Sequence, residues 1–113
     1  MSQFLGEIRA FAGRDLPYGW EPCDGRSKAV RQNQALFALL GFEYGGDGTT
    51  TFNLPDLRGR ATAGADEGRK KPLGATSGIT TEPREGIPYA VVNWAIATVG
   101  EFPFPSEPDL NTA

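Results

Sequence analysis

Gln32-Asn33-Gln34-Ala35-Leu36-Phe37-Ala38-Leu39-Leu40-Gly41 is the stretch from which the fold is read. Leu36 and Leu40 are one helical turn apart, and Phe37 and Leu39 widen the same apolar face. That spacing predicts a helix over Asn33 to Leu40. Asn33 is expected as its N-cap, accepting from backbone N–H groups two or three residues on. Gly41 is expected just past its end, because glycine takes φ > 0 without a Cβ clash. A helix of about two turns does not stand alone in water. It must therefore be held by packing, and the residues around it have to supply the surface.

On its C-terminal side, Tyr44-Gly45-Gly46-Asp47-Gly48-Thr49-Thr50-Thr51 is a loop with unusual dihedrals. Phe52, Leu54 and Leu57 follow as weakly alternating anchors, and Arg58 to Ala63 are expected to form a second short strand. On its N-terminal side, Lys28-Ala29-Val30 can pair briefly, Asp24-Gly25 is a turn signal, and Trp20 to Cys23 is a short extended piece. Gly6 to Ala12 alternates, with Ile8, Ala10 and Ala12 on one side and Glu7, Arg9 and Phe11 on the other. That pattern predicts a half-buried strand.

The remainder divides into three. Residues 64–87 are polar, charged and rich in Gly, Thr and Pro, an exposed insert of the kind that carries function or disorder. Tyr89 to Val99 is the strongest strand: Val92, Trp94 and Ile96 on one face, Val91, Ala95, Ala97 and Val99 on the other. Apolar residues on both faces predict a central, covered strand. Asn93 within it needs hydrogen-bond partners. Residues 101–113 form a Pro-rich extended tail, in which Phe102 and Phe104 are costly to leave in water and are expected to contact another subunit. The fold class is α+β, mostly β: one short helix on a small antiparallel sheet that the late C-terminal strand completes. Residues 1–100 are one domain, with core blocks 6–63, insert 64–87 and late strand 88–100.

Composition limits the chemistry. The chain has 113 residues, with 15 glycines, nine prolines, one cysteine and no histidine. Glycine at about twice its usual share of ~7% argues against long helices. The absence of histidine excludes Ser-His-Asp and Cys-His catalysis, and with one cysteine it also excludes a zinc site and an internal disulfide. Cys23 has acidic neighbours, which do not lower a thiol pKa, so it reads as a buried structural residue. The net charge of −3 gives no field for nucleic acid. No apolar run is long enough to cross a bilayer, and the N-terminus lacks the pattern of a signal peptide. No cofactor and no enzymatic activity are expected.

Two basic groups remain as candidate sites. Arg58 and Arg60 follow Asp56 closely, so they either pair with it or hold an anion. Arg69-Lys70-Lys71 is either a solvated loop tip or a contact for an anionic partner or receptor.

Three blocks together carry a resemblance. Gly6 to Gly13 with Pro17-Tyr18-Gly19-Trp20-Glu21-Pro22-Cys23-Asp24-Gly25 is the first. Gln32 to Gly41 with Tyr44-Gly45-Gly46-Asp47-Gly48 is the second, and Thr51-Phe52-Asn53-Leu54-Pro55-Asp56-Leu57-Arg58-Gly59-Arg60 the third. In order and spacing they resemble the phage tail collar domain family, a pattern shared by proteins labelled microcystin-dependent. Pro88 to Ala97 looks like the family's late strand. The resemblance implies a structural module of a phage tail fibre or tail tip, assembled as a homo-oligomer, a trimer, beside other tail or fibre subunits. It implies location in the virion tail and receptor contact through the insert. Here the insert is short and has no histidine, so the metal-bound tip of longer fibres does not carry over. Two other readings stand beside it: a self-assembling extracellular or surface fibre subunit, and a small adhesin tip that grips a cell-surface glycan through residues 64–87.

Overall fold

A computed structural model describes residues 3–65, 73–76 and 90–105 of the chain. Its elements are β1 (Ile8–Phe11), β2 (Trp20–Pro22), β3 (Ser27–Ala29), α1 (Gln34–Leu40), β4 (Thr51–Asn53) and β5 (Asn93–Ala97). They form two small antiparallel sheets and one short helix, an α+β fold that is mostly β. The first sheet has the order β1-β5-β2, so the late strand lies at its centre. The second pairs β3 with β4, and α1 lies in the connection between them.

The register explains how β5 serves two neighbours at once. Cys23 N–H donates to Trp94 O and Thr98 N–H to Gly19 O, so the even-numbered groups of β5 bond β2. Ala97 N–H donates to Glu7 O, and Arg9 pairs with Ala95, so the odd-numbered groups bond β1. Side chains alternate in step with this. Trp94 and Ile96 face the core. Ala95 and Ala97 lie on the other face, fully buried opposite Arg9, Pro22 and Trp20. Their small size lets larger neighbours close over them. The Trp20 ring meets Phe11 edge-on at 5.2 Å, and the Arg9 guanidinium sits 5.5 Å from its centre.

Leu5, Cys23, Leu36, Phe52, Leu54 and Ile96 are the buried core. They come from five separate segments, Phe52 and Leu54 sharing one, so the core is assembled from distant parts of the chain. Leu36 is the buried residue of α1, and Phe37 places its ring 5.4 Å from Phe52. The helix ends as expected: Gly41 has φ 55° and its N–H donates to Phe37 O at 2.7 Å. Gly46 has φ +96°, and a Cβ there would sit 2.5 Å from the Phe52 Cα. Only hydrogen fits where the glycine loop crosses β4.

Several expectations are corrected. Asn33 makes no side-chain cap. Its N–H closes a turn onto Val30 O, which turns its amide back to donate to Ala29 O at 2.9 Å. Arg58 to Ala63 is not a strand, because Arg58 and Gly59 form a turn and the strand partner of β3 lies earlier, at Thr51–Asn53. β1 does not bury Ile8 and Ala10, since it is an edge strand and its better-covered residue is Phe11 on the opposite face. β5 is regular only over Asn93–Ala97, and Val91 stays 85% exposed because neither β1 nor β2 extends beside it. Asn93 is satisfied by donating from Nδ2 to Gly13 O at 2.6 Å. Most of the insert and residues 106–113 lie outside the described residues.

Phe52 is fully buried at the junction of helix, glycine loop and β4. Phe52→Ala is expected to cost about 3–5 kcal/mol of folding stability. The measurement is the urea midpoint at unchanged slope. A change smaller than about 1 kcal/mol would contradict the packing described.

Candidate functional site: twin Asp-x-Arg turns beside an apolar cavity

Asp24-Gly25-Arg26 and Asp56-Leu57-Arg58 have the same spacing and the same geometry. Asp24 Oδ1 accepts from the Arg26 N–H at 3.2 Å and from Arg26 Nε at 3.0 Å, and Oδ2 accepts from Nη2 at 2.9 Å. Asp56 repeats the set with Arg58 at 3.2, 2.9 and 2.9 Å. In each turn the carboxylate tethers a backbone amide two residues on and forks onto the guanidinium of that same residue.

The two turns face one another. Asp24 and Asp56 form an antiparallel bridge, Gly25 N–H donates to Pro55 O at 3.2 Å, and Leu57 N–H donates to Cys23 O at 2.9 Å. Gly25 has φ +78°, and a Cβ there would meet the Asp56 Cβ at 3.2 Å. Two carboxylates are tolerated side by side because each carries its own cation. The hydrogen bond from Arg26 holds the Asp24 carboxyl below its usual range, and Arg58 does the same for Asp56. Glu21 adds a second layer, with Lys28 Nζ on it at 2.9 Å and Arg26 at 3.5 Å.

Beside the turns is a cavity of about 680 Å³. Leu57, Arg58, Gly59, Arg60 and Ala61 form one wall and Ala90 to Trp94 the other, with Cys23 and Asp24 at the base. The structure thus brings Arg58 and Arg60 to one wall. Arg58 is committed to Asp56 through a forked ion pair. Arg60 donates its backbone N–H to Leu57 O at 3.1 Å, closing the turn that aims this wall. Cys23 is 3% exposed, and burial together with Asp24 and Asp56 pushes its thiol up to about 12. It is a core residue, as its acidic neighbours imply.

The other candidates are scattered. Arg69, Lys70 and Lys71 lie outside the described residues. Phe102 is half-buried against the core. Phe104 is 80% exposed and touches Phe102 at a ring distance of 4.8 Å. Among the described residues no group of three or more His, Cys, Asp or Glu is placed to hold a metal ion. Among them also, no helix is long and apolar enough to cross a membrane.

Two features escaped the sequence reading. The Asp24-x-Arg26 turn is visible only once it is set beside Asp56-x-Arg58. Asp47 is the second: its Oδ1 accepts from the N–H groups of Thr49, Thr50 and Thr51 at 2.8, 2.7 and 2.9 Å. Its Oδ2 accepts from the Thr50 hydroxyl at 2.6 Å, and this bond with the backbone amides holds the carboxyl far below its usual range. The run of threonines after Asp47-Gly48 was the available signal.

Fold and site together define a small α+β domain built on short strands, glycine turns and aspartate-tethered loops. Residues 6–62 match the family model of the phage tail collar domain, and the chain belongs to that family. The matched stretch contains both Asp-x-Arg turns, the helix and the glycine loop. No curated protein and no solved structure matches the chain.

The pH dependence follows from these groups. Asp24, Asp47, Asp56 and Glu21 are all depressed, so the stability they contribute is present above the ordinary carboxyl range and is lost as pH falls through the folded values. Cys23 is raised, so its contribution holds below the ordinary thiol pKa of roughly 8.5 and is lost as pH climbs toward the folded value. Urea midpoints are expected to peak near neutrality and fall on both sides. Cys23→Ala should flatten the alkaline side alone. The Cys23 thiol should resist alkylation in the folded chain and react fully in denaturant; rapid alkylation of the native protein would contradict its burial.

Proposed function

We propose that the chain is a structural, non-catalytic module of the tail fibre or tail tip of a phage or phage-derived particle. We propose further that it works as a homo-oligomer, a trimer, beside other tail or fibre subunits in the virion tail. The observation that carries this reading is the collar-family match over residues 6–62. The chemistry of the site supports it. The Asp24 and Asp56 carboxylates are spent on tethering backbone amides and guanidinium groups, and the one thiol is buried with a raised pKa. Such groups stiffen turns; they do not supply an acid, a base or a nucleophile.

Phe104 is the subunit contact of this reading, anchored through Phe102, which is itself held against the core. Arg58, whose guanidinium stays exposed while paired with Asp56, then meets an anionic group of a neighbour along the wall it shares with Arg60, and Arg69, Lys70 and Lys71 in the insert contact the receptor, a cell-surface glycan. The exposed Phe104 also favours a second reading, a fibre subunit whose tail lies on the next copy.

Native mass spectrometry is expected to give three times the chain mass of 12.1 kDa or a whole multiple of that. Phe104→Ser should shift the distribution to monomer while the circular dichroism spectrum is kept. Filaments in electron micrographs would favour the fibre reading, and a monomer at high concentration would overturn both.

A further inference from the structure

The three-stranded sheet has two outer edges, and they differ in chemistry. On β2 the outward groups belong to Trp20 and Pro22, because Glu21 is bonded to Ile96. Trp20 N–H is already taken by Pro17 O at 3.2 Å, and Pro22 has no N–H. That edge has no donor to offer. On β1 the groups of Arg9 and Phe11 face β5, so the N–H and C=O of Ile8 and Ala10 point outward. Among the described residues nothing bonds them. Ile8 is 38% exposed, and Arg9 and Ala10 are exposed beside it. An open edge of this kind is a template for another strand.

We propose that β1 pairs antiparallel with β1 of a second copy of this chain about a two-fold axis at Ile8. Charge selects both the occupant and the register. With Ile8 opposite Ile8 of the second copy, Glu7 of each chain lies opposite Arg9 of the other. Glu7 and Arg9 already pair within one chain, on the face that Trp20 covers. The contact therefore makes an alternating ring of four charges. A shift that sets Ile8 opposite Ala10 puts Arg9 against Arg9, and directly opposed like charges are destabilising. A register centred on Ala10 leaves Glu7 without a counter-charge and requires pairing beyond Phe11, where β1 ends.

The contact is isologous and makes pairs. It is distinct from the threefold contact proposed above: it gives dimers from single chains and hexamers from trimers.

The test uses the full chain carrying Ile8→Cys under mild oxidation. Residues directly opposite in such a ladder have Cα atoms about 5.5 Å apart, within disulfide range. Ala10→Cys is the control, because in this register the two copies of that residue are about 13 Å apart. A disulfide-linked dimer is expected from the first variant and not from the second. Adding Arg9→Glu or Glu7→Arg alone to Ile8→Cys should slow dimer formation about tenfold, since each creates two like-charged pairs. Mixing those two chains should restore the rate, because Glu then faces Arg at every position. Near-ultraviolet circular dichroism checks that each variant is folded. Equal cross-linking of Ile8→Cys and Ala10→Cys, or a rate indifferent to the charge changes, would overturn the proposal. Native mass spectra of the unaltered chain containing only monomer and trimer would also overturn it while leaving the trimer reading intact.

Discussion

Everything in this fold depends on β5 lying between β1 and β2. The strand uses its odd-numbered backbone groups on one neighbour and its even-numbered groups on the other. Among the described residues β1 and β2 share no ladder of their own; each is hydrogen-bonded to β5, and only side chains such as Phe11 and Trp20 touch across it. Ile96 carries the same dependence into the core, where it packs with Leu5, Cys23, Leu36, Phe52 and Leu54. β5 begins 40 positions after β4 ends, from Asn53 to Asn93, so the sheet joins parts of the chain that are far apart in sequence. Variation in insert content is compatible with this arrangement, provided its two ends deliver β5 to the same slot.

Short elements leave many backbone groups outside any ladder, and this chain satisfies them with aspartates. Asp24, Asp56 and Asp47 each bind an amide within four residues, and the first two also neutralise an arginine. Glycine does the complementary work where atoms come too close for a side chain. Gly46 against β4 and Gly25 against Asp56 are the clearest cases. The chain thus replaces helical and sheet hydrogen bonds with local tethers. Local tethers fix the shape of a loop without adding core.

The helix, its glycine stop and the central late strand were legible because their signals are local: apolar spacing, a glycine after it, and apolar residues on both faces of one segment. Cys23 was legible for the same reason, since its acidic neighbours adjoin it in sequence. The burial of β1 was not. Alternation at Ile8, Ala10 and Ala12 says that a strand has two unlike sides, but the cover on each side is decided by neighbours far away in the chain. Trp20 closes over one face, while Ile8 and Ala10 on the other stay exposed. The Asn33 cap is absent because its side-chain amide turns back to donate to Ala29 O, beside a turn in which its backbone N–H donates to Val30 O. At the site, Arg58, Arg60 and a turn at Asp24-Gly25 could be named from sequence, yet their meeting could not, because the bridge between residues 24 and 56 spans the helix and the glycine loop.

The two edges of the sheet show how one small domain can separate internal from external pairing. β2 is closed by a proline and by a turn that occupies its last donor, so the sheet cannot grow on that side. β1 keeps its donors and carries one negative and one positive side chain two residues apart. A sheet open on both edges would add copies without limit; a sheet open on one edge can add one partner and then stop. Opposite charges at that edge reject a slipped partner more strongly than apolar residues would, because a slip of two residues sets arginine against arginine. On the pairing proposed above, the edge is a device for limited association, placed on the outer strand beside β5.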